Sequence, residues 1–268
     1  MLVLNCTKAA ADFFTVTRQG KKQSPIEKPP TPAIGDTLYH DQPVSSWLIH
    51  AIKVQRKNVL IAMDVHTRYA MVFAGIKKGN WSEFANQWLE RLFNNMQFRG
   101  EEFELCDEAS FHSMLNEFAR QHPRPHFCQR GDRSVQSHIN DVAWHIENWA
   151  HETGHLPEHH EDAASFDEWL NSMTRSTKSY KNGFFPDEEM FLHWITRYGD
   201  LDSQEEPMIR QYFNQSRRMT IRSISDPEKI DEIQAMMEAV INEYNEGLAS
   251  LPDNVIDIRQ ARANKQKG

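Results

Sequence analysis

The chain predicts an α+β fold: an antiparallel β-meander sheet packed against helices, followed by an all-helical C-terminal extension. Three observations lead there. Trp47 to Val54, Asn58 to Val65 and Tyr69 to Ile76 are runs rich in β-branched and aromatic residues, and connections this short make neighbouring strands antiparallel. Between Val135 and Trp149 the apolar residues recur at alternating four- and three-residue steps, which puts Val135, Ile139, Val142, Ile146 and Trp149 on one helical face. Beyond Pro157 the remaining segments read as helices.

Taken in order, Leu2-Val3-Leu4 is a short apolar strand, and Thr7 stands where it can cap a brief helix from Lys8 to Phe13. Residues 20–36 carry Pro25, Pro29, Pro30 and Pro32 among lysines with no hydrophobic period, so an exposed, mobile loop is expected. The meander follows. Ser82 is placed to cap a helix bearing Phe84, Trp88, Leu89 and Leu92, and a second helix presents Phe111, Leu115 and Phe118. His126 to Gln129 adds a strand before the central helix, which Gly154 and Pro157 stop by conformational freedom and by a missing amide.

Phe166 to Met173, Asp187 to Arg197, Glu205 to Phe213 and Asp226 to Leu248 are the later helices. The last begins at a Ser225/Glu228 capping box and carries a continuous apolar stripe from Ile230 to Leu248. That stripe packs on the protein's own core or serves a homodimer or protein partner through residues 226–248. The expected organisation is an α+β domain over 1–160, a helical extension over 161–250 packed on it, and a flexible tail over 251–268.

Composition narrows the function. Apolar and charged fractions of 39% and 25% are those of a folded globular protein. The longest apolar runs are too short to span a bilayer and the N-terminus has no secretory h-region, so no membrane partner and a cytoplasmic location are expected. Cys6, Cys106 and Cys128 include no C-x-x-C pair and read as thiols of a reducing compartment. A net charge of −8 argues against nucleic-acid binding; Arg217, Arg218, Arg222 and the tail ARANKQKG are the only basic candidates. There is no G-x-G-x-x-G, Walker loop or G-x-S-x-G.

His151-Glu152-Thr153-Gly154-His155 spells H-E-x-x-H, in which two imidazoles one helical turn apart bind zinc and the glutamate polarises the bound water. On that reading His151 and His155 are ligands, Glu152 is the catalytic base, and His138, His145, His159 and His160 are spare imidazoles nearby. Against it, Gly154 and Pro157 put the pair across a helix end, and Glu158 and Glu161 stand where an extended metzincin pattern needs Gly and His. A separate polar stripe of His138, Asp141 and His145 lies at i, i+3 and i+7, able to form a hydrogen-bonded or metal-binding face or simply the solvated side of the helix.

The motif R-S-V-x-x-x-x-N-D from Arg133 to Asp141, following the strand-like HFCQR, resembles a bacterial family known as domain of unknown function 6933. The opening MLVLNCTKAAADFF, the segment NVLIAMDVHTRYAMVFAG and the segment SYKNGFFPDEEM are similar to it as well, so the resemblance covers most of Met1 to about Met190. It implies a compact α+β domain of bacterial origin, with Arg133, Ser134, Asn140 and Asp141 as its motif positions and no cofactor or catalytic residue to carry over. In that family a polar turn without H-E-x-x-H stands where HETGH stands here. Buried, Asn140 and Asp141 would tie the helix to the meander; exposed, they would line a recognition surface. The expected function is a non-catalytic interaction or regulatory protein with no cofactor, the alternatives being a zinc-dependent hydrolase and a nucleic-acid-associated protein.

Overall fold

The structure is a computed structural model that describes residues 1–178, 180–199 and 205–225, with side chains in the last stretch described to Arg218. The helix expected over 226–248 and the tail over 251–268 lie outside the described residues. Met1–Arg210 form one compact unit, and the chain from Gln211 belongs to a second.

Strand β1 (Leu2–Cys6) leads into helix α1 (Lys8–Phe14), capped as expected by the Thr7 hydroxyl, which accepts from the Ala10 amide at 3.3 Å. Two small hairpins follow, β2 (Val16–Arg18) with β3 (Lys21–Gln23) and β4 (Leu38–Tyr39) with β5 (Gln42–Pro43). Lys21 to Ser24 are exposed, but further on the Pro/Lys-rich segment is anchored. The Glu27 amide donates to Phe127 O at 2.8 Å, and Arg130 donates to the carbonyl of buried Thr31 at 2.6 Å.

The meander is β6 (Ser45–Val54), β7 (Lys57–Asp64) and β8 (Ala70–Ala74). Then come α2 (Trp81–Glu102), α3 (Glu108–Gln121), β9 (Pro125–Gln129), α4 (Arg133–Thr153), α5 (His160–Asn171), α6 (Pro186–Tyr198) and α7 (Glu206–Ser225). Asn80 rather than Ser82 caps α2, and Met114 rather than Leu115 joins Phe111 and Phe118 on the buried face of α3.

The sheet order is β8-β7-β6-β1-β9. Only its meander is antiparallel. β1 pairs parallel to β6, with Leu2 opposite Ser45 and Cys6 opposite Ile49, and β9 pairs parallel to β1. The sheet is therefore mixed, which corrects the expected antiparallel one. The physical reason is the long crossover from β1 through α1 and the hairpins to β6, which returns the chain in the same direction.

Strand alternation sends the two faces of the sheet to two helical layers. Val59, Ile61, Met63, Ala70 and Val72 join the α4 stripe Val135, Ile139, Val142, Ile146 and Ala150 in one core, with Phe166 and Leu170 of α5. On the other face an aromatic core forms: Trp47 against Trp88 at 4.9 Å, Phe73 against Phe84 at 5.1 Å, and Phe14 against Phe84 at 5.3 Å between ring centroids. The first two pairs are edge-to-face, an arrangement that contributes beyond the buried area.

Among the described residues after 160, the chain forms α5, α6 and α7 plus one antiparallel bridge between Arg175 and Phe184. No described helix is long and apolar enough to cross a membrane.

Candidate functional site

The turn between β7 and β8 is the polar centre of the described chain. Asp64, the last residue of β7, is buried, and its Oδ1 accepts from His66 N at 2.9 Å, Thr67 N at 2.7 Å and Thr67 Oγ1 at 2.9 Å. A carboxylate closing its own turn in this way replaces backbone partners the sheet no longer supplies. Arg68 takes the left-handed conformation, φ 59°, which costs a non-glycine residue about 1 kcal/mol.

The turn delivers the Arg68 side chain inward, only 8% exposed, against the head of α4. Its Nη2 donates to Ser134 Oγ at 3.3 Å, while Nε and Nη1 are buried without a hydrogen-bond partner. Burial pushes its pKa down, opposed by the charges of Asp64 and Asp132. Asp132 is itself the N-cap of α4, accepting from Val135 N at 2.9 Å.

A second buried guanidinium lies beside the first. Arg175 is 7% exposed, held by paired backbone bonds to Phe184 at 2.8 Å each, and its Nε has no partner. Its pKa is pushed down to about 10, by burial first, with Asp141 favouring the charge and Arg68 opposing it. Neither arginine makes an ion pair among the described residues.

Arg175 explains the polar stripe of α4. His138 and His145 are half-buried and both pKa values are lowered, by burial first and then by the Arg175 charge, while Asp141 acts in the opposite sense. The charge of a guanidinium from the segment after α5 thus acts on the stripe.

On the other side of the turn, a cavity of about 520 Å³ is lined by His66, Thr67, Phe184, His193 and Arg197, among others. Burial lowers the pKa of His193, and Arg197 Nη1 lies 3.5 Å from its Nε2. Arg197 also donates to Val44 O at 2.9 Å and Gln121 Oε1 at 3.1 Å, so its position is structural as well.

Arg133, Ser134, Asn140 and Asp141 are all exposed. Helical geometry puts Arg133, Asn140 and Trp144 on one line, with Ser134 and Asp141 beside it. Trp144 is 59% exposed and Trp169 of α5 is 44% exposed, and the His145 ring stands edge-on to both, at centroid distances of 4.9 and 5.2 Å.

The H-E-x-x-H residues are placed differently from a zinc helix. α4 ends at Thr153, and Gly154 takes φ 77°, the left-handed C-cap. His151 and Glu152 are exposed in the last turn, whereas His155 lies past the cap with Nδ1 3.3 Å from Leu156 O. The two imidazoles therefore do not sit one helical turn apart, and among the described residues no group of three His, Cys, Asp or Glu side chains is arranged to hold a metal ion.

The thiols of Cys6 and Cys128 are buried, with raised pKa values, about 11 for Cys128, chiefly through desolvation. Arg217 lies over the Phe213 ring at 5.3 Å and Arg218 is exposed; the Arg222 side chain is outside the described part.

The architecture defines an α+β domain whose polar centre is a strand-connecting turn held between the head of one helix and a cavity beside another. By sequence it belongs to the domain of unknown function 6933 family, whose model matches residues 3–189. That span includes the turn, the head of α4 and the Arg175 segment, and ends before His193 and Arg197. No curated protein and no solved structure matches the chain.

Sequence reasoning missed Asp64, Arg68 and Arg175. A signal existed for the first two, since DVHTR puts an Asp and an Arg into a connection between two apolar strands. Nothing in TRSTKS separates Arg175 from its neighbours.

Proposed function

We propose that this protein is a non-catalytic interaction or regulatory protein of a reducing compartment, and that it binds a macromolecular partner through the exposed face of α4 and the adjoining end of α5. One observation carries the reading: Arg133, Ser134, Asn140 and Asp141 face solvent on the same side of α4 as Trp144, and Trp169 extends that surface through His145. Tryptophan and arginine dominate interface energetics because one side chain offers a large apolar area with a polar handle and the other a rigid array of donors. Free thiols in the chain support the compartment.

The test is a photo-reactive amino acid placed at position 144 in cells that make the protein, with position 98 as control because Phe98 is equally exposed on α2. A discrete adduct at 144, absent at 98 and abolished by Trp169→Ala or Asn140→Ala, is expected. Equal cross-linking at both positions overturns the reading. Stoichiometric zinc in the purified protein, lost on His151→Ala, favours the hydrolase instead.

A further inference from the structure

Arginine carries five N–H donors and no acceptor, and it stays charged at any physiological pH. Buried guanidiniums are ordinarily matched by a carboxylate or by a full set of carbonyls. Among the described residues Arg91 meets Asp167 at 3.1 Å and Arg99 meets Glu168 at 2.7 Å, whereas Arg197, bonded to Val44 O and Gln121 Oε1, keeps one buried nitrogen without an acceptor.

Arg68 and Arg175 depart from that ordinary matching. Both are more than nine-tenths buried, they repel each other, and three of their N–H-bearing nitrogens, Arg68 Nε and Nη1 and Arg175 Nε, reach no acceptor. Of the nearby carboxylates, Asp64 closes its turn, Asp132 caps α4, and exposed Asp141 acts on Arg175 through its charge without forming an ion pair with it among the described residues. His138 stands within the field of both guanidiniums, and Ser134, bonded to Arg68, lies at the start of α4, whose N-terminal dipole is positive.

We propose that Arg68 and Arg175, with Ser134 and His138 at the rim, form a binding site for one phosphate group, free or carried as a phosphomonoester. A carboxylate offers a single negative charge and one plane of acceptors. A phosphate dianion matches two guanidiniums in charge and presents oxygens in three directions, as donors arriving from a turn, a loop and a helix head require. The site shares Ser134 with the partner surface, but phosphate binding is read without any partner, so a failed cross-link at position 144 leaves it standing.

The full-length protein is titrated with sodium phosphate, sodium acetate and sodium chloride at matched ionic strength, read by calorimetry and by thermal melting. Saturable one-to-one binding and a rise in Tm with phosphate alone are expected. Ser134→Asp tests the site without removing a buried group, because Ser134 is exposed and the new carboxylate would pair with Arg68. It should weaken phosphate binding on the order of tenfold or more, a change of about 1.4 kcal/mol or more, and Arg175→Gln should do the same. O-phosphoserine binding on the order of tenfold tighter than inorganic phosphate identifies a carried group, and equal affinity identifies the free ion. No saturable effect beyond chloride, acetate acting as well as phosphate, or unchanged phosphate binding in Ser134→Asp overturns the proposal.

Discussion

Replacing Asn171 with alanine should cost the fold about 4 kcal/mol, because this one side chain completes the outer edge of the sheet. β8 is the terminal strand, so the Ala70 amide and carbonyl point away from β7 with no further strand to receive them. Asn171 takes both: its Oδ1 accepts from Ala70 N at 2.8 Å, and its Nδ2 donates to Ala70 O at 2.7 Å. Asp167, one turn earlier on α5, accepts from Val72 N at 2.9 Å, and Arg91 donates to Val72 O. Two side chains at i and i+4 thus stand in for a sixth strand, and both are fully buried.

Asn171→Ala leaves two buried backbone groups without partners. At about 1–3 kcal/mol each, the loss centres near 4 kcal/mol. Asp167→Asn keeps an acceptor for Val72 N but removes the carboxylate that pairs with Arg91 at 3.1 Å, so it should cost about 3–5 kcal/mol through the lost ion pair. Urea denaturation of the two variants, with the slope against denaturant checked for constancy, measures both. A loss under 1 kcal/mol in Asn171→Ala would refute the idea that α5 closes the sheet edge by hydrogen bonding.

Gly100→Ala should destabilise by roughly 1–3 kcal/mol, since the added Cβ would lie 2.0 Å from Cys106 Sγ. Adding Cys106→Ala removes the sulfur and leaves a 3.7 Å contact, so the double variant should recover most of the loss in thermal melts. Buried His122, with Nε2 2.7 Å from Tyr198 OH, has its pKa pushed down to about 3 by burial and by Arg197. A depressed folded-state pKa gives stability that is fully present above the unfolded value near 6.5 and is lost as pH falls towards 3. In His122→Gln the stability-versus-pH slope between pH 4 and 6 should differ from that of the native chain by about 1.4 kcal/mol per unit, the worth of one proton; equal slopes would contradict the assignment.

The sequence made the α4 stripe and the three meander strands legible because each buries one face at the period of its own backbone. It did not reveal the parallel pairing of β1 with β6 and β9, since a period of two says nothing about the direction of a partner reached through a long crossover. The head of α4 was legible as a motif and the rest of the candidate site was not. His66-Thr67-Arg68 has the polarity of any solvent turn, yet Thr67 and Arg68 are buried, with Asp64 closing the turn and Met190 of α6 against Thr67. Asp167 and Asn171 were hidden for the converse reason: polar residues on a helix signal its outer face, and here they meet a sheet edge whose hydrogen-bonding demand apolar side chains could not fill.

Three of the segments that carry the family resemblance converge in space. NVLIAMDVHTRYAMVFAG supplies the turn with Arg68, DRSV supplies Ser134 to it, and SYKNGFFPDEEM supplies Phe184, which holds Arg175, and Met190, whose sulfur lies 3.6 Å from Thr67 Oγ1. A requirement for stability alone would not place two guanidiniums there, because replacing buried charge with well-packed apolar groups is often neutral or stabilising. Two buried like charges with unused donors, one of them on a residue in a strained conformation, mark a place where the fold carries a cost locally. That cost is offset when something outside the chain brings the missing acceptors, which makes the Asp64–Tyr69 turn, more than the H-E-x-x-H residues, the part of this molecule where function is to be sought.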